Sequence, residues 1–174
     1  MNPEPLAMSA NYRLSVRGIR ELHRLLLADL DESPEADAIR DATDLPWEAL
    51  SETERDRVGG ISEDLYSISD PPVDVPREIN PQARAAMKEA IEARDCGEWD
   101  HALSLLRRWS KHLPPAFVSR QRGLIWQAAG DAETAALFLE HAARLEQKNG
   151  RCEDDFLEIP YSADEVQVRP LAQD

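Results

Sequence analysis

Two segments of the sequence repeat one pattern of residues. GEWDHALSLLRRW begins at Gly97, and GDAETAALFLEHA begins at Gly130, 33 residues later. When the copies are aligned on these glycines, small and large residues coincide at matching positions: Ala102 with Ala135, and Leu106 with Leu139. A pattern that recurs with a period of about 20–50 residues is typical of proteins that stack one structural unit on the next. The repeat therefore predicts an all-α fold built from stacked units.

Residues 82–149 are predicted to form four helices, over residues 82–96, 98–113, 116–129 and 131–148. Gly97, the Pro114-Pro115 pair and Gly130 separate them. Because the connections are very short, neighbouring helices are expected to be antiparallel. Gly97 and Gly130 are expected to end helices in the left-handed conformation, which costs glycine little. The small residues Ala102 and Ala135 would let paired helix axes approach to about 8–10 Å.

The spacing resembles that of the tetratricopeptide repeat family. In the second copy, the family's small positions are occupied by Gly123, Ala135 and Ala142, its aromatic position by Trp126, its turn by Gly130 and its large position by Leu139. In the first copy, the matching residues are Ala90, Gly97, Ala102, Leu106 and Pro114, with Trp99 just after the turn. The resemblance implies a short solenoid of antiparallel helical hairpins. It departs from the family at Trp109, where a small residue is expected, and in having two copies where about three are usually needed.

The remaining segments complete the predicted domain organisation. Residues 1–11 are expected to be disordered, residues 12–70 to form an N-terminal helical segment, and residues 71–81 to be a Pro-rich linker. Within the N-terminal segment, one helix is predicted over residues 15–31 and another is predicted to stop at Gly59-Gly60. This segment would cap the repeats, with Leu22, Leu26, Trp47 and Leu65 in the core. Residues 150–174 are expected to be an acidic, irregular tail.

Composition excludes several classes of partner. The chain has a net charge of −14, whereas nucleic acids and anionic membranes both require a basic surface. We therefore expect neither as a partner. The N-terminus has no apolar core of a secretory signal, and no apolar run approaches the length of a membrane span. Two cysteines are too few for a disulfide framework. These features predict a cytoplasmic protein.

No motif indicates a catalytic, cofactor or metal site, so we expect a protein that is not an enzyme and has no cofactor. Cys96 and His101 lie five residues apart across a turn and could form a thiolate–imidazole pair. The simpler interpretation is a small residue at a helix end and a histidine on a helix surface. The run Cys152-Glu153-Asp154-Asp155 could hold a divalent cation, but it lacks the spacing of known sites and is better explained as a solvated acidic run.

The resemblance to tetratricopeptide repeats implies a concave groove, lined by the first helix of each hairpin, that binds peptides. Its lining positions correspond here to Arg84, Lys88, Ile91, Arg94, Phe117, Arg120, Gln121, Leu124 and Gln127. All charged members are basic, which would suit an acidic peptide, although an ordinary solvated helix face has the same composition.

We therefore predict a non-catalytic adaptor or scaffold whose partner is a protein or an acidic peptide. Two alternatives remain: a Cys/His-dependent enzyme or metal-binding protein, and a structural subunit of a fixed complex. The tail could occupy the groove of its own chain, associate with a neighbouring copy, or serve only as a solubilising segment.

Overall fold

The structure, a computed structural model, describes residues 8–69 and 79–149. Within these ranges the chain forms seven α-helices, one short 3-10 helix and no strand, so the predicted all-α class is confirmed. The helices are α1 (Ala10–Leu27), α2 (Pro34–Glu48), α3 (Glu52–Ser69), α4 (Pro81–Cys96), α5 (Trp99–Trp109), α6 (Pro115–Ala129) and α7 (Ala132–Asn149), with the 3-10 turn at Ser110–His112. None of the helices in these ranges is long and apolar enough to cross a membrane.

Both predicted glycine turns end a helix. Gly97 ends α4 with φ of 81°, and Gly130 ends α6 with φ of 94°, which is the left-handed region that favours glycine. The residue after each glycine donates its backbone N–H to a carbonyl in the last turn of the helix, Glu98 to Ala93 and Asp131 to Trp126, both at 2.9 Å. These bonds satisfy carbonyls that a helix end would otherwise leave unpaired.

Helices α1 and α4 begin earlier in the sequence than predicted. Helix α1 begins at Ala10 because Ser9 caps it, with Ser9 Oγ accepting from the Tyr12 N–H at 3.1 Å. Ala10 and Asn11 are therefore helical, contrary to the prediction of disorder. Pro81, predicted to belong to the linker, is the first residue of α4. The rest of the predicted disorder, linker and tail lies mainly in residues 1–7, 70–78 and 150–174, outside the described residues.

The prediction that a helix stops at Gly59-Gly60 is wrong, because α3 runs through both glycines without a break. Gly60 lies against the guanidinium of Arg107, which would have to shift if a Cβ were added at this position. Arg107 crosses α3 at this point and donates from Nε to Oδ1 of Asp64 at 3.0 Å. Gly60 and Asp64 are four residues apart and share one face of the helix.

One hydrophobic core includes residues from both halves of the chain. Helix α1 packs against α2 and α3, α4 against α5, and α6 against α7, while α5 also contacts α6. Among the described residues, the largest fully buried side chains are Tyr12, Ile61, Leu65, Leu106, Trp126 and Phe138. Leu65 is buried as predicted, and Leu22 and Leu26 are partly buried. Trp47 is 41% exposed, contrary to prediction, because α2 packs chiefly against α1 among the described helices.

Candidate functional site

A cleft of about 530 Å³ lies between the end of α3, the 3-10 turn, α6 and α7. Its apolar lining comes from Ile68, Pro115, Val118 and Leu145, and three serines, Ser67, Ser110 and Ser119, also line it. Ligand sites in proteins typically combine an apolar wall with a few polar groups that fix orientation, and their volumes start near 300 Å³. The cleft is large enough for a small molecule or for a few residues of a peptide.

The charged side chains that line this cleft are all basic: Lys111, Arg122, Arg144 and Lys148. Among the described residues, no carboxylate lines it. This is notable in a protein with 34 acidic and 20 basic residues. A cleft lined with charge of one sign concentrates ligands of the opposite sign, so this one attracts anions.

Helical spacing brings these side chains to one place. On α7, His141, Arg144 and Lys148 lie three and four residues apart and therefore share one face. On α6, Ser119 and Arg122 share a face in the same way. Because α6 and α7 pack against each other, the two faces form adjacent walls of the cleft.

Arg122 differs from the other three cations because it is anchored. Its side chain is 5% exposed, with Nη2 2.8 Å from Oδ1 of Asp64 and Nη1 donating to Ser67 Oγ at 2.8 Å. Burial raises the pKa of Asp64, and the guanidinium groups of Arg122 and Arg107 oppose that rise. The charge of Arg122 is thus partly compensated, whereas Lys111, Arg144 and Lys148 are exposed and can reach a ligand.

Ser119 and His141 form a hydrogen-bonded pair in the cleft wall, with Oγ and Nδ1 2.8 Å apart. Burial, together with the positive charges of Arg144 and Arg122, lowers the pKa of His141 to about 4. A general base works best when its pKa lies near the working pH, so a neutral imidazole with this pKa is a weak base. The pair can present polar groups to a ligand but is poorly suited to activating the Ser119 hydroxyl.

The residues predicted to line the peptide groove lie apart from this cleft, on α4 and α6. Phe117 and Gln121 are buried, and Ile91 and Leu124 are partly buried against other side chains. Arg84 and Gln127 are exposed. Of the predicted set, Arg94 and Gln121 are brought into direct contact, with Nη1 donating to Oε1 at 2.8 Å.

The other predicted groove cations lie next to carboxylates. Lys88 Nζ lies 3.7 Å from Oε1 of Glu92, and Arg94 Nη2 lies 2.7 Å from Oδ1 of Asp95. Arg120 donates from Nε to Oε1 of Glu146 on α7 at 3.1 Å. The positive potential of this face is therefore reduced by its own neighbours, in contrast to the cleft. Peptide binding at these positions stays a prediction.

In the described part of the chain, no hydrogen bond joins Cys96 to His101. Cys96 is exposed and unpaired at the end of α4, and His101 Nε2 lies 3.0 Å from Oε1 of Glu89. Within residues 8–69 and 79–149 no cluster of His, Cys, Asp and Glu side chains could hold a metal ion. The acidic run at residues 152–155 lies outside the described residues.

Sequence reasoning did not identify the cleft, although part of it was detectable. His141, Arg144 and Lys148 form a basic stripe on a single predicted helix, and that spacing is visible in the sequence. The positions of Lys111 and of Ser67 are not visible in this way, because they depend on how the 3-10 turn and the end of α3 pack beside α6 and α7.

Comparison with known proteins gives no relative for this chain: no protein-family model, no curated protein and no solved structure matches it.

Proposed function

We propose that the protein is a non-catalytic adaptor that binds an acidic peptide segment of a partner protein in the cleft between α3, α6 and α7. Exposed cationic side chains on the rim would bind the carboxylates, and the apolar wall would bind the side chains between them. The exposed, unpaired Cys96 is compatible with a reducing cytoplasm as the place of action.

The observation that carries this proposal is the composition of the lining. Four cations and, among the described residues, no carboxylate line the cleft of a protein with net charge −14. Three of the cations are exposed, so they can approach a ligand without first breaking a buried contact. The predicted groove on α4 and α6 offers weaker support, because its cations lie beside Glu92, Asp95 and Glu146.

The proposal includes the scaffold, which we infer to be two hairpins stacked in the manner of tetratricopeptide repeats. Supporting this inference, Ala102 and Ala135 are 0% and 2% exposed at the positions where the family has small residues. A Cβ at Gly123 would lie 2.6 Å from Cγ of Leu139, so α6 and α7 approach closely at another family position. The N-terminal helices share the same core and would take the place of a third repeat.

A titration tests the proposal. A labelled ten-residue peptide of alternating Glu and Leu is added to the full chain, and binding is followed by fluorescence anisotropy at low and at physiological salt. The double substitution Lys111→Gln with Arg144→Gln should weaken binding roughly tenfold, as expected for the loss of two exposed ion pairs. The loss should be larger at low salt, since screening is weaker there.

The matched control is the double substitution Arg84→Gln with Lys88→Gln, which removes the same charge from the predicted groove. This variant should bind the peptide as the native chain does. A loss confined to the control would place binding on α4 instead. Equal affinity for all three proteins, or for a peptide with Gln in place of Glu, would contradict the proposal.

A further inference from the structure

Helix α7 ends at the edge of the basic cleft. Helix α7 ends at Asn149, and Leu145, Gln147 and Lys148 in its last turns line the cleft. Building on the function proposed above, we infer that the resting occupant of the cleft is residues 153–165 of the same chain. A partner peptide would then have to displace this segment, which makes it an autoinhibitory ligand.

Charge complementarity supports this assignment. Residues 153–165 contain six carboxylates and no cation, while the charged side chains that line the cleft in the described part of the chain are four cations. The segment also alternates in character, with Phe156, Leu157 and Ile159 placed between its acidic residues. This matches a cleft whose rim is basic and whose wall includes Ile68, Val118 and Leu145.

Chain length permits the contact. Glu153 follows Lys148 by five residues, and an extended chain spans about 3.5 Å per residue, so the segment can cross the cleft from its point of attachment. A short tether makes the encounter intramolecular, at an effective concentration on the order of millimolar. Even if the segment bound weakly, it would therefore occupy the cleft for much of the time.

The scarcity of lysine in this chain allows a sharp test by zero-length cross-linking. A carbodiimide joins a carboxylate to an amine that it contacts, and the chain has three lysines: Lys88, Lys111 and Lys148. Lys111 lines the cleft, whereas Lys88 lies on the predicted groove of α4. Digestion and mass spectrometry of the treated full chain should find residues 153–158 joined to Lys111.

Other cross-links would overturn the inference. A link from this segment to Lys88 would place it on α4, and links to Lys148 alone would show contact only with its immediate neighbour in sequence. Mixing isotopically labelled and unlabelled protein separates links within one chain from links between copies. Links that join labelled to unlabelled chains would contradict occupation by the same chain.

A second measurement separates this inference from the proposed function. The variant with Glu153→Gln, Asp154→Asn, Asp155→Asn and Glu158→Gln should bind the Glu/Leu peptide at least tenfold more tightly than the native chain, because its cleft is free. The matched control neutralises four exposed carboxylates elsewhere, with Glu32→Gln, Glu35→Gln, Asp41→Asn and Glu48→Gln. It changes net charge equally and should leave affinity near the native value.

Equal affinity of the native chain and the tail variant, still sensitive to Lys111→Gln with Arg144→Gln, would overturn self-occupation while the proposed function stands. Failure of the tail variant to bind the peptide would instead overturn the proposed function. In that case the cross-link to Lys111 still decides whether the segment lies in the cleft.

Discussion

The hairpins of residues 81–149 and the junction between these hairpins and residues 10–69 are held together by different contacts. Within the hairpins, close packing depends on small residues such as Ala102 and Ala135, which are almost fully buried. Across the junction, charged side chains meet in buried positions. Asp64 contacts Arg107 and Arg122, and Arg20 Nη1 lies 3.0 Å from Oδ1 of Asp131.

The difference shows how each region tolerates change. Packing of small apolar residues is non-directional, and neighbouring side chains can adjust in part when one residue changes. A buried ion pair requires a specific partner, and removing one member leaves the other charged and desolvated. Single substitutions at the junction should therefore cost more than single substitutions within the hairpins.

The largest effect is expected at Asp64, which is fully buried. The substitution Asp64→Ala leaves the guanidinium of Arg122, 5% exposed, without its carboxylate partner. The free energy of unfolding in urea should fall by about 3–5 kcal/mol. The control Asp100→Ala breaks the Arg57–Asp100 pair, in which Asp100 is 53% exposed, and should cost about 0–1 kcal/mol.

A second variant identifies the cause of this loss. If desolvated charge is responsible, Asp64→Leu combined with Arg122→Met should recover much of the stability, because apolar pairs often replace buried ion pairs without loss. If the double variant is as unstable as Asp64→Ala, the loss of stability comes from packing alone. The proposed contrast between the two regions would then be wrong.

Overpacking at the hairpin seam should have the next largest effect. Ala135 is 2% exposed and its carbonyl oxygen lies against Gly123 of α6, so Ala135→Leu has no space for the added atoms. We expect a loss of about 1–3 kcal/mol in thermal or urea unfolding. The neighbouring Ala136 is exposed, and Ala136→Leu should change stability little. Similar losses in both variants would show that the seam is not closely packed.

Two glycines should respond to alanine with opposite signs. Gly130 has φ of 94°, and Gly130→Ala should cost about 1–2 kcal/mol because a Cβ is strained in this conformation. Gly59 is exposed in the interior of α3 with nothing within 4 Å of an added Cβ, so Gly59→Ala should stabilise the helix by about 0.5–1 kcal/mol. A change of the same sign in both would contradict the continuous α3.

The smallest effect is expected from mild acidification. Burial lowers the pKa of His141 from 6.5 to about 4 in the folded protein, so between these values the unfolded chain binds a proton that the folded chain does not. The contribution of His141 to the free energy of unfolding is therefore fully present above about pH 6.5 and is lost as the pH drops toward 4. Between pH 7 and pH 6 we expect a loss of roughly a few tenths of a kcal/mol. His141→Asn should reduce this dependence, to which His23 also contributes because burial lowers its pKa as well. An unchanged slope would assign the dependence to other groups.

The sequence predicted those parts of the fold that depend on neighbouring residues. Gly97 and Gly130 end helices because few other residues adopt their backbone conformation, and the four helices of residues 81–149 follow from spacing around them. Gly59-Gly60 misled the prediction because a glycine pair in an isolated segment indicates a break. In the fold, Gly60 lies against the guanidinium of Arg107, 47 residues later, a contact that no local pattern indicates.

The same limit explains why the cleft was not predicted. Its walls join residues from the end of α3, the 3-10 turn, α6 and α7, and no local pattern connects Ser67 with Lys111 or Arg144. Net charge concealed it as well, because an excess of carboxylates over the whole chain gives no indication of a surface where, among the described residues, only cations carry charge. Residues chosen by resemblance, such as Arg94 and Arg120, are basic in the sequence but lie beside acidic side chains in the fold.

Asp131 connects two events that are distant in the sequence. Its Oδ1 accepts from the backbone N–H of Thr134 at 3.0 Å, which begins α7, and also from Nη1 of Arg20 on α1, 111 residues away. When α1 detaches, this carboxylate loses the cation that orients it, and the first turn of α7 loses part of its cap. Local opening of α1 and fraying of α7 should thus occur as one cooperative unit, and amide hydrogens in the first turn of α7 should exchange with solvent at the rate at which α1 comes away.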